Sequence, residues 1–451
     1  MDGYLFDKGE AKPATEQAAE PAEAVGQPRL RVPQRDQIEM HFAALDQLLP
    51  ADHQVRIVWE CVSRLDLSHW LGKVKAVEGH VGRDATDPRL LLSLWIYATL
   101  DGIGSARELG RLCNDSLPYQ WLCGGVSVNY HLLADFRSHN AKAWDEMLTQ
   151  IVGAMLAENL VTMRRVAQDG MRVRANAGKS SFRRQPRLEE GLQQAREQVE
   201  NLKRLADESP DALSNRQRAA RERAAADRVK RIEEAIRNCE ELQAEREASR
   251  NHARHTKPPR ASTTDPQART MQFAHGGYCP GYNVQFSTDT ASGVIVGVDV
   301  TNMGSDQGQL PPMLDQLQER YGRVPEEALV DGGFASLEAV EQAAEKNCEV
   351  YAPLRGAHKQ LQAGKNPYAP KKGDHAAVAA WRERMGTEAA KAIYRLRGQT
   401  AEWVNAICRN RGLQQMPVRG QVKCRTVAML YAITHNLLLG GKLRALQATA
   451  T

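Results

Sequence analysis

The feature that most constrains the fold is a change of period near residue 161. Before it, apolar residues recur at helical spacing, as in IEMHFAALDQLL (38–49) and HQVRIVWECVSRL (53–65). After it, short β-branched runs alternate with helical ones. GYNVQFSTD (281–289) and GVIVGVDVTN (293–302) read as strands, SDQGQLPPMLDQLQERYG (305–322) as a helix and EALV (327–330) as a strand. SLEAVEQAAEKN (336–347) is again a helix and CEVYAPLR (348–355) a strand. Strand, helix, strand, helix, strand predicts a mixed sheet with helices packed on it. The chain is therefore expected to be an α/β core preceded by an all-α region.

The helical region carries its own punctuation. Asp87 followed by Pro88 predicts an N-cap with proline at the first helical position, and Ser105 predicts the cap of the next helix. Arg107, Arg111, Arg137 and His139 leave two readings open, a helix–turn–helix DNA reader and a plain bundle. A net charge of +5 does not by itself decide between them. Residues 1–34, rich in Ala, Glu, Pro and Gln, lack the basic start and apolar centre of a signal peptide and are expected to be a disordered leader. No long uncharged apolar stretch predicts a membrane span. The 8 cysteines form no C-x-x-C pair, and reduced thiols are expected. Cys113, Cys123, His131 and His139 have the spacing of no common zinc site.

The expected domains are a helical one over 35–160, a catalytic core over 161–440 and a tail over 441–451. The core is interrupted at 187–254. There Leu188, Leu192, Ala195, Val199 and Leu202 repeat at steps of four and three, and Val229, Ile232, Ile236 and Cys239 mark a second run beyond Pro210. The pattern predicts an inserted helical hairpin. Whether it packs on itself or on a second chain is left open.

Three carboxylates attract notice. Asp331 ends the apolar run Ala328-Leu329-Val330 and precedes Gly332-Gly333, and Asp169 follows Val166-Ala167-Gln168 in the same way. Each alone reads as turn chemistry. Glu402 lies on a helix expected over Thr387 to about Arg411. If the first and fourth strands of the sheet are neighbours, the three can meet. They then repel one another unless a cation lies between them. An oxygen-only set suits Mg²⁺ or Mn²⁺, and two ions roughly 4 Å apart clamp the attacking and leaving oxygens of a phosphoryl displacement. At 100° per residue, Arg395 and Arg409, seven residues either side of Glu402, share its face, with Tyr394 close by. A basic run, Arg172, Arg174, Lys179, Arg183 and Arg184, comes after Asp169. These cations suit a nucleic-acid backbone. An exposed helix laced with weak ion pairs is the alternative.

At these residues the chain resembles a bacterial insertion-sequence transposase of the DDE class, in the branch often numbered eleven-eighty-two. The likeness is carried in order by SARELGRLC, YQWLCGGVSVNYHLLADFRS, DGMRVRANAGKSSFRR, STTDPQARTM, GYNVQ, VTNMGSDQGQLPPML, LVDGGFAS and YRLRGQTAEWVNAICRNRGL. The resemblance implies an RNase H-like core and a triad of Asp169, Asp331 and Glu402 binding two divalent ions. It implies binding to terminal inverted repeats, metal-dependent strand cleavage and joining of 3′-hydroxyl ends to target DNA. Double-stranded DNA is the implied partner, with Arg172, Arg174, Lys179, Arg183, Arg184, Tyr394, Arg395, Arg397, Arg409 and Lys423 gripping it. A dimer or larger assembly on DNA in the bacterial cytoplasm, at the nucleoid, is implied too. A catalytically silent DNA-binding regulator and another RNase H-like nuclease are the alternatives. The family's Y-x2-R-x3-E-x6-K signature is kept at Tyr394 and Arg397, but Glu402 comes one residue late and Arg409 stands for the lysine. Ideal helix geometry favours Arg395 over Arg397 as the glutamate's neighbour.

Overall fold

The computed structural model describes residues 43–77, 79, 84–208, 214–248, 257–274 and 276–450. The leader expected over 1–34 and the hairpin's connection at Pro210 lie outside the described residues. A compact unit begins at Leu45, ten residues after the expected start of the helical domain at 35.

Among the described residues seven α-helices come before the sheet: α1 (Gln54–Ser63), α2 (Ser68–Leu71), α3 (Pro88–Leu100), α4 (Ala106–Asp115), α5 (Leu117–Cys123), α6 (Tyr130–Ser138) and α7 (Ala141–Ala157). Asp87 accepts from the Arg89 amide at 2.8 Å at the start of α3, and Ser105 accepts from the Glu108 amide at 3.3 Å at the start of α4. Helix α3 is buried nearly all round, with Leu92, Leu94, Trp95 and Ile96 at its centre. The cations considered as DNA readers are engaged internally. Arg137 is buried, donates to the Gly104 carbonyl at 2.7 Å and lies 4.0 Å over the Trp95 ring, and burial pushes its pKa down to about 10. Arg111 pairs with Glu108 and Asp115, and Arg107 lies over Tyr130.

The sheet comes next. Its strands are β1 (Arg165–Arg174), β4 (Arg269–Gln272), β5 (Tyr278–Asp289), β6 (Ile295–Thr301), β7 (Glu327–Leu329) and β8 (Glu349–Tyr351). Along the main path the order is β6-β5-β1-β7-β8, with β4 pairing the first part of β5. The pairs β6-β5 and β5-β1 are antiparallel, while β1-β7 and β7-β8 are parallel. This is the RNase H-like arrangement, a mixed sheet whose first strand lies beside its fourth. Helices α10 (Leu310–Tyr321), α11 (Leu337–Glu345) and α13 (Ala376–Met385) cross over or flank it, and the short α12 (Ala357–Gln362) lies in the connection from β8 to α13. Helix α16 (Gln421–Ala450) packs on β6, α3 and α7. It runs without interruption past residue 441, where a tail was expected to begin.

Side chains meet outward backbone groups of β6 and of β8. On β6, the Asn436 amide both donates to and accepts from Ile295 at 2.8 and 2.9 Å, and Gln316 does the same for Val298 at 3.0 Å. Along β8 and just beyond it, Arg384 donates to the Val350 carbonyl and Trp381 to the Ala352 carbonyl. Backbone groups that would otherwise be left without partners are thus satisfied.

The insert is α8 (Gln185–Glu208) and α9 (Asn215–Ala248), which pack on each other. Pairs Arg196–Glu233 and Arg228–Gln198 run in opposite senses, so the helices are antiparallel. Leu188, Ala195, Ile232, Ala235 and Cys239 form their own small core, with Leu192, Val229 and Ile236 against it. A two-stranded ribbon, β2 (Phe182–Arg183) with β3 (Ala261–Ser262), closes the hairpin's root. All eight cysteines are free thiols. No helix among the described residues is long and apolar enough to cross a membrane.

Candidate active site

Strand β1 does not end at Asp169. It runs on for five residues beyond it, and Asp169 stands opposite Phe286 of β5. On the other side the parallel ladder sets Arg165 against Glu327, Val166 against Ala328 and Ala167 against Leu329. Carried two residues further, this register puts Asp169 level with Asp331, on strands about 4.8 Å apart. Asp331 itself sits two residues past β7.

Asp331 holds its own turn. Its Oδ1 accepts from the Gly333 amide at 2.6 Å and the Phe334 amide at 3.3 Å. The two glycines after it suit this close packing. A Cβ on Gly333 would lie 2.7 Å from Asp331 Oδ1, and one on Gly332 would lie 3.0 Å from the Pro353 carbonyl. Arg355 fastens the turn from outside by donating to both glycine carbonyls. The turn reading of Asp331 and its approach to the other carboxylates therefore coexist, since only one carboxylate oxygen serves the turn.

The third carboxylate depends on a local irregularity. The expected long helix is α14 (Glu388–Arg397), a π-helical turn (Gly398–Glu402) and α15 (Trp403–Asn410). A π turn holds one residue more than an α turn. It therefore absorbs the extra residue between Arg397 and Glu402 and returns Glu402 to the face of Arg397. Arg397 Nη1 donates to Glu402 Oε1 at 3.2 Å, and Nη2 donates to Asp169 Oδ1 at 2.9 Å. This reverses the expectation from ideal helix geometry: Arg395 points outward and is exposed, and Arg397 joins the carboxylates.

Asp169 is enclosed. Its Oδ1 also accepts from the Gly170 amide at 3.0 Å, and Oδ2 accepts from Asn405 Nδ2 at 2.9 Å. Burial raises its pKa above the usual carboxylate range; Arg397 opposes this, and Asp331 and Asp306 add to it. Burial works against the charge on Arg397, yet Asp169, Tyr394, Asp331 and Glu402 hold its pKa above the ordinary guanidinium value. Tyr394 stands among the same groups, and burial raises its pKa.

Beneath Asp169, on the opposite face of β1, lies a set of residues that no sequence signal singled out. Asp306 Oδ1 accepts from Asn283 Nδ2 at 2.7 Å and Gln285 Nε2 at 2.8 Å. Gln168 Nε2 donates to Gln285 Oε1 and to the Gln309 carbonyl, both at 3.1 Å. A Cβ on Gly170 would lie 2.0 Å from Asp306 Oδ1, so glycine is needed there for close approach. Asn405 was not expected either, although its place three residues after Glu402 puts it on the adjoining helix face.

Apart from Arg397, which joins the carboxylates, the expected DNA-gripping cations fall into two groups. Arg172, Arg174 and Arg409 line a cavity of about 580 Å³ together with Gly170, Phe273, Ala274, Leu413 and Gln414. Arg172 also donates to the Gly304 carbonyl at 2.8 Å. Lys179, Arg183, Arg184, Arg395 and Lys423 are exposed and do not line that cavity.

Three carboxylates with no nitrogen or sulfur donor suit a hard divalent cation. Among the described residues, no group of three or more His, Cys, Asp or Glu side chains is drawn together closely enough to hold one. Instead, the Arg397 guanidinium lies between Asp169 and Glu402 and supplies there the positive charge such an ion would bring. The donor chemistry fits the ion, and the guanidinium stands in its way.

A sheet of this order, with carboxylates at the meeting of its first and fourth strands, is an RNase H-like core. A family model described as Transposase DDE domain matches residues 230–437, and one described as Transposase domain (DUF772) matches residues 43–139. Over these two stretches the chain is similar to insertion-sequence transposases. Asp331 and Glu402 lie within the first match and Asp169 before it. No curated protein and no solved structure matches the chain. Transposases with a DDE domain generally use divalent metal ions.

Proposed function

We propose that the chain binds the terminal inverted repeats of its element, cleaves DNA strands there and joins the freed 3′-hydroxyl ends to target DNA. The observation that carries this reading is the meeting of Asp169 and Glu402 on Arg397, with Asp331 level with Asp169 on the neighbouring strand. In the first reaction water attacks phosphorus and the 3′-oxygen leaves with a proton. In the second the 3′-hydroxyl loses its proton and its oxygen bonds to a target phosphorus that keeps its 5′-linked strand, while the target's own 3′-oxygen leaves and takes up a proton.

Asp169, Asp331 and Glu402 would hold Mg²⁺ or Mn²⁺, two ions on this reading. Bound there, they supply an activated water and neutralise charge on the leaving oxygen. Gly170 and Asn405 orient Asp169 by donating to its two oxygens. Arg397 balances the carboxylates when no ion does, and its guanidinium turns to a DNA phosphate once released. Arg172, Arg174 and Arg409 grip the backbone at the cavity, and Lys179, Arg183, Arg184, Tyr394, Arg395 and Lys423 extend the contact. The protein works as a dimer or larger assembly on nucleoid DNA in the bacterial cytoplasm.

Purified protein with Mg²⁺ is expected to nick duplex DNA carrying the element's end, and Asp331→Ala to abolish nicking while leaving binding intact. Equal nicking by the variant overturns the assignment. End binding by the unaltered protein with no metal-dependent cleavage favours the silent-regulator reading.

A further inference from the structure

The inserted hairpin has two chemically different ends. Residues 215–231, the half of α9 far from the core, carry seven basic and two acidic side chains. Residues 232–248, the half nearest the core, carry two basic and six acidic ones. The near half uses its acids to fasten the hairpin: Glu233 pairs with Arg196, Glu234 accepts from Gln267, and Glu245 takes both Nη atoms of Arg269 at 2.8 Å. No leucine, isoleucine or valine of α9 lies in its first fourteen residues, where alanines make the seam.

The cations along α9 are also ordered, three of them in the far half and one just inside the near half. Arg216, Arg223, Lys230 and Arg237 succeed one another at seven-residue intervals, and all four are exposed. Seven residues drift only about 20° round a helix and advance about 10 Å. The four therefore form one stripe about 30 Å long, on the side of α9 away from Ala225, Ile232 and Cys239, its buried residues. None of the four has a carboxylate within ion-pair distance among the described residues. Ala219, Ala220 and Ala226 fill the spaces between them; Asp227, between Arg223 and Lys230, and Glu234, between Lys230 and Arg237, are the acids beside the stripe, and Glu234 accepts from Gln267. Unpaired like charges held in a row repel one another, and small residues between them let a surface come close. Both features suit a polyanion whose charges are themselves spaced along a rod, and the stripe is about as long as one turn of duplex DNA.

We infer that the hairpin is an arm that grips the backbone of double-stranded DNA through this stripe, away from the carboxylate site. The inference rests on the proposed action on DNA. The match to the Transposase DDE domain begins at residue 230, so Arg216 and Arg223 lie outside it. A second copy of the chain is the competing occupant.

The test is the salt dependence of duplex binding by the full-length protein, with wild type compared to the triple variant Arg216→Gln, Arg223→Gln, Lys230→Gln. Each lost phosphate contact lowers the slope of log affinity against log salt by about 0.9, so the triple variant is expected to lose about 2 to 3 from the slope. Helix content by circular dichroism should not change, since the substituted side chains are exposed. Glu240→Gln with Glu241→Gln, on the acidic half, should leave the slope no shallower than in wild type. An unchanged slope in the triple variant overturns the arm while leaving the transposase reading in place. Loss of self-association in light scattering without DNA, with the slope kept, assigns the stripe to a second copy and overturns it too. Wild type that fails to bind duplex DNA at any salt overturns both readings.

Discussion

Asp169 and Glu402 share one guanidinium but are positioned by different means. Asp169 sits in mid-strand with a ladder on one side for its whole length, and it accepts bonds from Gly170, Arg397 and Asn405. Its side chain is 17% exposed, against 64% for Glu402. Glu402 has Arg397 as its bonding partner and stands on a π turn. A strand resists slippage because a one-residue shift moves every side chain to the other face. A helix tolerates insertion, but each added residue turns the rest of the helix by about 100°. The site thus combines a carboxylate fixed by pairing with one fixed by angular register, and the π turn is where that register is adjusted.

The largest expected effect comes from disturbing the register. One alanine inserted after Gln399 adds a second residue to a turn that already holds an extra one. Glu402 then rotates away from Arg397, and single-turnover nicking should fall on the order of a thousandfold, about 4 kcal/mol in barrier. An unchanged rate would show that the π turn does not position the glutamate. On the strand side, Gly170→Ala puts a methyl against Asp306 and should cost about 3 kcal/mol of stability by urea unfolding. A loss below about 0.5 kcal/mol would mean that the loop bearing Asp306 yields freely.

A third expectation concerns pH. Trp403, next to Glu402, packs edge-on against His435 at 5.5 Å between ring centres. Burial lowers the pKa of His435 from 6.5 to about 4, while its Nε2 lies 3.0 Å from the Gly293 carbonyl. As pH falls, the unfolded chain takes up this proton first. The stabilising contribution is therefore full above the unfolded value near 6.5 and is lost as pH falls toward 4. Between about pH 7 and pH 5 the wild type should lose about 2 kcal/mol by this route. His435→Gln should flatten that part of the stability profile, and an identical profile would remove His435 from the account. The smallest effect is expected from deleting Gln399. The π turn then closes to an α turn, the family spacing is restored, and nicking should stay within about tenfold of wild type.

Much of this was legible in the sequence because it is written in local rules. Asp87 and Ser105 announce their helices by cap chemistry, and the change of period near residue 161 announces the sheet. The extent of β1 beyond Asp169 was harder to see, because Gly170 resembles a turn residue until Asp306 is brought beneath it from 136 positions further along the chain. Arg395 was preferred to Arg397 because a uniform 100° step leaves no place for a π turn. Arg137 could be taken for a surface cation because nothing in its neighbourhood along the chain reveals the Trp95 ring it covers.

The side-chain bonds to the outward backbone of β6 and β8 have a consequence for how copies of the chain can meet. On the proposed reading, several copies crowd onto one short stretch of DNA, where their local concentration is very high. Exposed strand edges at such density invite the runaway stacking that ends in insoluble fibres. Asn436 and Gln316 on one side, with Arg384 and Trp381 on the other, spend the backbone's bonding capacity inside each chain. Crowding then leads to contacts made by side chains, which can be undone when the DNA is released.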